Sequence, residues 1–294
     1  MKKFLLKIGF SLLWFACLFL LAYLFLHGKF KRTNALDGNN YIFVWGDSQM
    51  YQGLDIALLG NKIEREVLTS AGHGKGIYDF LVCEKIIPDG STCVVSFPEC
   101  AFFRNPLSDN NRTGLDLSCL KDIINSGCPL GEAERIIGLN RKIQNIDYKA
   151  FNSEEHNLYK YADSLVYPEP LPAWHPLFEE KKDWFQWKAK SYEKGIHSLF
   201  EKRSQIILIQ FPFDEQVESF AKESVNRHLS DSLKTKIVKD YSMKVDTLEL
   251  RSDSLLMHDL SHMNVVGARL LTKKIAEILS VDTVNNRFLR VVIE

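Results

Sequence analysis

Four short apolar runs, separated by segments with helical patterns, place the strongest constraint on how this chain folds. The runs cover residues 41–45, 66–70, 92–97 and 204–211. They have the length of strands and are rich in β-branched and other apolar residues, which is typical of strands buried on both faces of a sheet. Helical patterns occupy residues 49–64, 77–86 and 264–279, and the last of these is expected to close the domain. Strands that alternate with helices predict an α/β fold with a mostly parallel, five-stranded sheet.

The folded domain is expected to occupy residues 40–294 as one unit, after a polar linker over residues 33–39. Between the third and fourth strands lies a long insertion, residues 98–203, with a largely helical pattern. We expect this insertion to cover the carboxyl edge of the sheet. Trp174 and His175, among several prolines, are interpreted as an ordinary packed loop, with a substrate cleft as the alternative.

The first 32 residues differ sharply from the rest of the chain. An uncharged apolar stretch, residues 8–26, is flanked by basic residues on both sides. At about 1.5 Å per residue it would extend roughly 28 Å as a helix, close to the thickness of a bilayer's hydrocarbon core. Its length and its bulky end argue against a cleaved signal peptide. Residues 1–32 are therefore predicted to be a single-pass membrane anchor, with the following domain outside the cytoplasm, in the periplasm.

Charge and cysteine content narrow the functional classes. The 37 basic residues balance the 37 acidic ones, so no long-range field favours nucleic acid as a partner. Five cysteines follow the apolar stretch, between residues 83 and 128, and are interpreted either as disulfides of an oxidising compartment or as buried small hydrophobic residues. Their spacing and that of the histidines fit no zinc site, so no metal is expected. The Gly-rich residues 72–76 lack the Walker and dinucleotide patterns, which argues against nucleotide binding and any such cofactor.

Two short islands near opposite ends of the chain carry the chemistry. The first is Gly46-Asp47-Ser48, directly after the first strand, and the second contains Asp259 and His262. A serine hydroxyl becomes a good nucleophile when an imidazole takes its proton and a carboxylate orients that imidazole. Three residues apart, a carboxylate and an imidazole can share one side of a turn. The alternative is that Asp47 or Ser48 only caps a helix and that Asp259 only forms a turn.

In combination, these islands resemble the SGNH (GDSL-type) hydrolase superfamily over about residues 40 to 280. The resemblance implies a flavodoxin-like three-layer α/β/α fold and ester hydrolysis or acyl transfer through an acyl-enzyme. It implies that Ser48 is the nucleophile, His262 the base and Asp259 its orienting carboxylate. It also implies that the backbone donors of the oxyanion hole are Ser48 and a glycine of the turn after the second strand, Gly74 or Gly72.

One element of the family pattern is missing. The family usually places an asparagine after the third strand to complete the oxyanion hole, whereas this chain has Ser96, Phe97 and Pro98 there. Loss of one such donor typically costs about 3 to 4 kcal/mol of transition-state stabilisation. Ser96 or a residue of the insertion is a possible substitute.

Membrane-anchored relatives with similar departures modify cell-envelope polysaccharides. The resemblance therefore favours an esterase or O-acyltransferase acting on an acylated envelope glycan. An alternative is a catalytically weak or inactive glycan-binding or assembly subunit, with partners in envelope assembly. A third alternative, a non-enzymatic α/β domain, predicts that Ser48 and His262 lie far apart.

Overall fold

A computed structural model describes most of the predicted domain and part of the N-terminal segment. The described residues are 7, 9–21, 41–73, 75–104, 117–137, 174, 177–178, 184–252, 254–281 and 285–294. Residues 9–21 are helical and expose their large apolar side chains. Within the described ranges, no helix is long and apolar enough to cross a membrane. The predicted span of residues 8–26 lies partly outside these ranges.

All six strands described belong to one parallel sheet. In chain order they are β1 (Tyr41–Trp45), β2 (Glu66–Thr69), β3 (Thr92–Ser96), β4 (Gln205–Gln210), β5 (Lys244–Leu250) and β6 (Arg287–Ile293). Their spatial order is β2-β1-β3-β4-β6-β5. The first four match the predicted runs to within a residue or two at each end. The prediction of a mostly parallel sheet is confirmed, because all five described ladders are parallel, but the predicted number of five strands is wrong.

Ten labelled helices connect these strands within the described part of the domain. They are α1 (Ser48–Gly53), α2 (Ile56–Ile63), α3 (Ile77–Ile86), α4 (Glu99–Phe103), α5 (Leu117–Asn125), α6 (Leu130–Ile137), α7 (Phe185–Glu201), α8 (Glu215–Ala221), α9 (Val225–Asp240) and α10 (Val265–Val281). Helix α3 has the predicted bounds. The helix predicted over residues 49–64 is instead two helices, because Leu54 is extended and Asp55 caps α2 through a bond from the Leu58 N–H.

Apolar side chains cover both faces of the sheet. Alternate residues of the central strands enter two buried clusters, one containing Trp45 and Val95, the other Val44 and Val94. Side chains of α3, α4, α7 and α9 join the first cluster, and those of α1, α2 and α10 join the second. Successive strand residues point to opposite faces, so helices on both sides bury the sheet. This arrangement is consistent with a three-layer α/β fold.

The segment between β3 and β4 differs from the predicted insertion in one respect. Helix α7 does not cover the carboxyl edge of the sheet; it packs on the sheet's face beside α3. Gly195 of α7 permits this close approach, because a Cβ there would lie 2.5 Å from Cε1 of Phe80. Trp174 is buried against Phe213, as a packed loop predicts. His175 lies outside the described residues.

The C-terminal half of the chain also differs from the predicted order of helices and strands. Helix α10 was expected to close the domain, but β6 follows it and inserts between β4 and β5. Both flanking ladders are parallel. Arg287 of β6 forms an ion pair with Asp246 of β5 across this ladder.

Candidate active site

The turn after β1 presents Ser48 at the carboxyl edge of the sheet. Asp47 caps α1, since its Oδ1 accepts from the Gln49 N–H at 3.2 Å, and Ser48 is the first residue of that helix. Gly46 makes the tight turn possible: a Cβ there would lie 2.3 Å from Cβ of Met50 and 2.9 Å from Cβ of Ser96. Helix α1 has only six residues, so few peptide dipoles align behind Ser48. Stabilisation of an oxyanion there must come mainly from individual hydrogen-bond donors.

Asp259 and His262 form a carboxylate–imidazole pair in the loop between β5 and α10. Nδ1 of His262 lies 2.9 Å from Oδ1 and 2.8 Å from Oδ2 of Asp259. The same Oδ1 accepts the backbone N–H groups of Ser261 and His262, both at 2.8 Å. This local turn holds the carboxylate beside the ring, as the three-residue spacing predicts. A neutral His262 that donates from Nδ1 has Nε2 as its acceptor nitrogen.

The electrostatics of Asp259 reflect this geometry. Burial raises the pKa of the Asp259 carboxyl, but the bond from His262, the charge of that imidazole and the two backbone N–H groups together outweigh burial. The pKa of Asp259 is therefore lowered below its ordinary value. The Asp259 side chain is therefore ionised at neutral pH, which is required of a carboxylate that orients an imidazole.

Further hydrogen bonds hold the loop in place. The backbone N–H of His258 donates to the His262 carbonyl at 2.7 Å, and Met257 forms an antiparallel bridge with Met263. Asn264 caps α10, because its Oδ1 accepts from the backbone N–H groups of Val266 and Gly267. The Asp259–His262 pair is thus held between a β-bridge and a helix cap.

The structure brings the two sequence islands together. Nε2 of Gln49, next to Ser48, donates to the Ser261 carbonyl, next to His262, at 3.0 Å. The Asp47 carboxyl is buried, which raises its pKa, while the charges of Arg104 and His262 oppose that rise. The two islands therefore contact one another through Gln49 and Ser261, whereas the non-enzymatic alternative predicts that Ser48 and His262 lie far apart.

Two of the predicted oxyanion donors, Gly72 and Ser96, have their hydrogen-bonding groups directed to other groups of the protein. The Gly72 N–H donates to the Gly46 carbonyl at 3.2 Å, so in this structure it points to the backbone. Ser96 is fully buried, and its hydroxyl lies 3.5 Å from Oδ1 of Asp47. Gly74 lies outside the described residues.

Sequence reasoning missed a second histidine at this site. The exposed side chain of His73 follows Gly72, and its ring centroid lies 6.3 Å from that of His262, edge-on. Tyr51 contacts the same ring at 5.2 Å, and Gln52 reaches it with a hydrogen bond. The position of His73 could have been predicted from the strand order. Neighbouring parallel strands end at one edge of a sheet, so the turn after β2 lies beside the turn after β1.

A cavity of about 980 Å³ borders residues 255–257, at the start of the loop that bears Asp259 and His262. Its walls include polar, charged and aromatic residues from β4, α8, α9 and β6, together with residues 255–257. Representative lining residues are Gln210, Phe213, Lys222, Arg227, Met257 and Arg290. The backbone bond from Asp214 to the Leu260 carbonyl, at 2.9 Å, connects this wall to the loop that bears His262.

Of the two interpretations of the cysteines, the described residues support burial as small hydrophobic side chains. Cys83, Cys93, Cys100 and Cys128 are buried free thiols. Burial raises the pKa of Cys83 to about 11 and that of Cys93 to about 12, so these thiols stay protonated. The side chain of Cys119 lies outside the described set. Over the same set, no cluster of three or more His, Cys, Asp or Glu side chains is arranged to hold a metal ion.

Comparison with known proteins gives no family for this chain. No family model matches the sequence, and no curated protein matches it at a significant level. The assignment of function therefore depends on the geometry described above.

Proposed function

We propose that this protein is a membrane-anchored serine esterase or O-acyltransferase of the SGNH type, acting on an acylated cell-envelope glycan. One observation carries the proposal: the Asp259–His262 pair is joined, through the Gln49–Ser261 bond, to the turn that presents Ser48. The strand order β2-β1-β3-β4 supports the finer fold assignment, a flavodoxin-like three-layer architecture with β6 inserted before the edge strand.

The proposed reaction proceeds through an acyl-enzyme. Ser48 Oγ attacks the acyl carbon while its proton moves to Nε2 of His262, and the carbonyl oxygen becomes an oxyanion. Asp259 holds the resulting imidazolium through Nδ1. Collapse of the intermediate breaks the ester bond, and His262 returns the proton to the departing glycan hydroxyl. A water or an acceptor hydroxyl then releases the acyl group by the same steps in reverse.

Location and substrate class are part of the proposal. The apolar residues 8–26, with basic flanks, support a single-pass anchor, and a following domain outside the cytoplasm would meet envelope glycans. The acyl group of the substrate is expected to be acetyl.

Fluorophosphonate labelling of the full-length chain in detergent tests the enzymatic proposal. We expect the wild type to label and Ser48→Ala and His262→Ala not to label. Ser126→Ala is the matched control, because Ser126 is as buried as Ser48, at 7% exposure, but bonds to α5 and α7. A folded wild type that does not label, or labelling that survives Ser48→Ala, would rule out Ser48 as an activated nucleophile.

A second candidate is a glycan-binding or assembly subunit without efficient catalysis. The cavity of about 980 Å³ beside the catalytic loop favours it, because the walls combine hydrogen-bonding groups with aromatic surface. Binding of acetylated polysaccharide by an unlabelled wild type, lost in Gln210→Ala, would support this candidate over the enzyme.

A further inference from the structure

We propose that His73 donates a hydrogen bond to the reacting acyl oxygen and so replaces the amide donor missing after β3. This assignment rests on the proposed function. It identifies a further catalytic residue for the reaction of Ser48.

The backbone places His73 beside the nucleophile turn. Strand β2 pairs with β1, and two further bonds extend this pairing past the strand ends. Ser70 N–H donates to the Val44 carbonyl at 2.8 Å, and Gly72 N–H donates to the Gly46 carbonyl at 3.2 Å. His73 therefore follows a residue that is bonded directly to the turn bearing Ser48.

The ring of His73 faces the same site as that of His262. The two rings meet edge-on at 6.3 Å between centroids and 63° between planes, a separation at which they do not stack. The His73 residue is exposed whereas the side chain of His262 is only 14% exposed, so solvent reaches the His73 ring more freely. Tyr51 also contacts the His73 ring edge-on, at 5.2 Å between centroids.

Gln52 sets which nitrogen of His73 carries the proton. Nε2 of Gln52 lies 3.1 Å from Nε2 of His73, and an amide nitrogen donates hydrogen bonds but does not accept them. With the Gln52 amide in this orientation, Nε2 of His73 is the acceptor and the proton of the neutral ring is on Nδ1. Burial, followed by the charge of His262, lowers the pKa of His73 against the opposing effect of Asp259. The ring is therefore neutral near pH 7, with one N–H to offer to a substrate oxygen.

Other polar groups of the site are less suited to this role. The Ser96 hydroxyl lies near Asp47, and the Gly72 N–H is bonded to Gly46. Arg104, at the end of α4, acts electrostatically on the buried Asp47 carboxyl. Arg104 is the principal competitor, because its guanidinium is a strong donor.

Kinetics of the full-length chain with p-nitrophenyl acetate, together with fluorophosphonate labelling rates, test the assignment. We expect His73→Ala to lower kcat on the order of 10²- to 10³-fold with little change in KM, as removal of an oxyanion donor does. His73→Asn keeps a side-chain N–H and is expected to restore at least a tenfold part of that loss. His228→Ala, in α9, is the matched control and should match wild type.

The outcomes separate this assignment from the proposed function. A wild type that neither labels nor hydrolyses ester overturns both. An active wild type with His73→Ala within threefold of it overturns only the role of His73. The same holds if His73→Asn is as slow as His73→Ala, or if the large loss appears in Arg104→Ala instead. Circular dichroism and thermal unfolding should be unchanged by the His73 substitutions, because the side chain is exposed.

Discussion

Replacement of Asp259 by asparagine tests the central pair with minimal change in shape. Oδ1 of Asp259 accepts two backbone N–H groups at 2.8 Å, so an asparagine carbonyl is expected to take that position and keep the loop folded. Its amide nitrogen then replaces Oδ2, which lies 2.8 Å from Nδ1 of His262. Because the amide donates, Nδ1 must accept, and the ring proton moves to Nε2. His262 then cannot take the proton of Ser48.

The expected loss is large in activity and small in stability. The wrong tautomer in a triad lowers kcat roughly 10⁴-fold, which corresponds to about 5 kcal/mol of barrier. The loss of charge from two backbone hydrogen bonds should cost only about 1 to 2 kcal/mol of unfolding free energy. Ester hydrolysis and urea unfolding measure the two effects. The control is Asp55→Asn, which changes a carboxylate that also accepts a backbone N–H, as the cap of α2, but lies outside the Asp259–His262 pair. A folded Asp259→Asn protein within tenfold of wild-type activity would refute the tautomer argument.

Three further predictions concern stability and the position of the loop. Arg227→Leu should lower the unfolding free energy by about 3 to 5 kcal/mol at pH 7, since it leaves Glu99 buried without its cation. Burial already raises the pKa of Glu99, so protonation should relieve this defect in acid, and urea titrations at pH 7 and pH 5 measure the difference. Gly267→Ala should slow fluorophosphonate labelling and cost about 1 to 3 kcal/mol, because a Cβ would lie 2.5 Å from the Leu256 carbonyl oxygen. Because the pKa of Asp259 is lowered in the folded protein, its carboxylate stabilises the fold at pH values above the unfolded pKa of about 3.9. This stability is lost as the pH falls through the folded pKa, so the unfolding free energies of wild type and Asp259→Asn should converge in acid.

Matched substitutions control these predictions. Arg251→Leu removes an exposed arginine, 68% accessible, and should change stability by less than about 1 kcal/mol. Gly131→Ala meets nothing within 4 Å and should be neutral or stabilising in its helix. Equal losses in Arg227→Leu and Arg251→Leu would contradict the argument from burial. Normal labelling of a folded Gly267→Ala protein would contradict the argument that its neighbour Leu256 positions the loop.

Three of the four strands that the sequence revealed, β1, β3 and β4, are buried on both faces, whereas β2 is an edge strand with Glu66 exposed. Strand β1 has the predicted bounds because every residue in it is apolar and its ends are marked by a change to polar residues. Strand β5 was missed because Lys244, Asp246 and Glu249 interrupt the apolar pattern of an edge strand that is largely exposed. Strand β6 carries Arg287 and Arg290 and was missed for the same reason. Charged residues are tolerated where a strand borders solvent or pairs across a ladder.

The site was predictable where one turn defines it and unpredictable where separate turns meet. The three-residue spacing of Asp259 and His262 determines their contact locally. The place of His73 depends instead on the pairing of β2 with β1, which periodicity alone does not give. The break at Leu54 had a visible signal, because Asp55 stands three residues before Leu58, the N-cap spacing that the bond between them uses.

The insertion of β6 between β4 and β5 determines when the proposed site can assemble during synthesis of the protein. Strand β5 and the loop with His262 leave the ribosome before residues 287–293, yet within the described sheet β5 pairs only with β6. Until that strand arrives, the loop extends from a segment with no sheet to support it, and the edge of β4 is open to pairing with other chains. The nascent protein is therefore expected to lack an assembled Ser48–His262–Asp259 site until β6 has been made, so a serine activated as proposed could not react before that strand is in place.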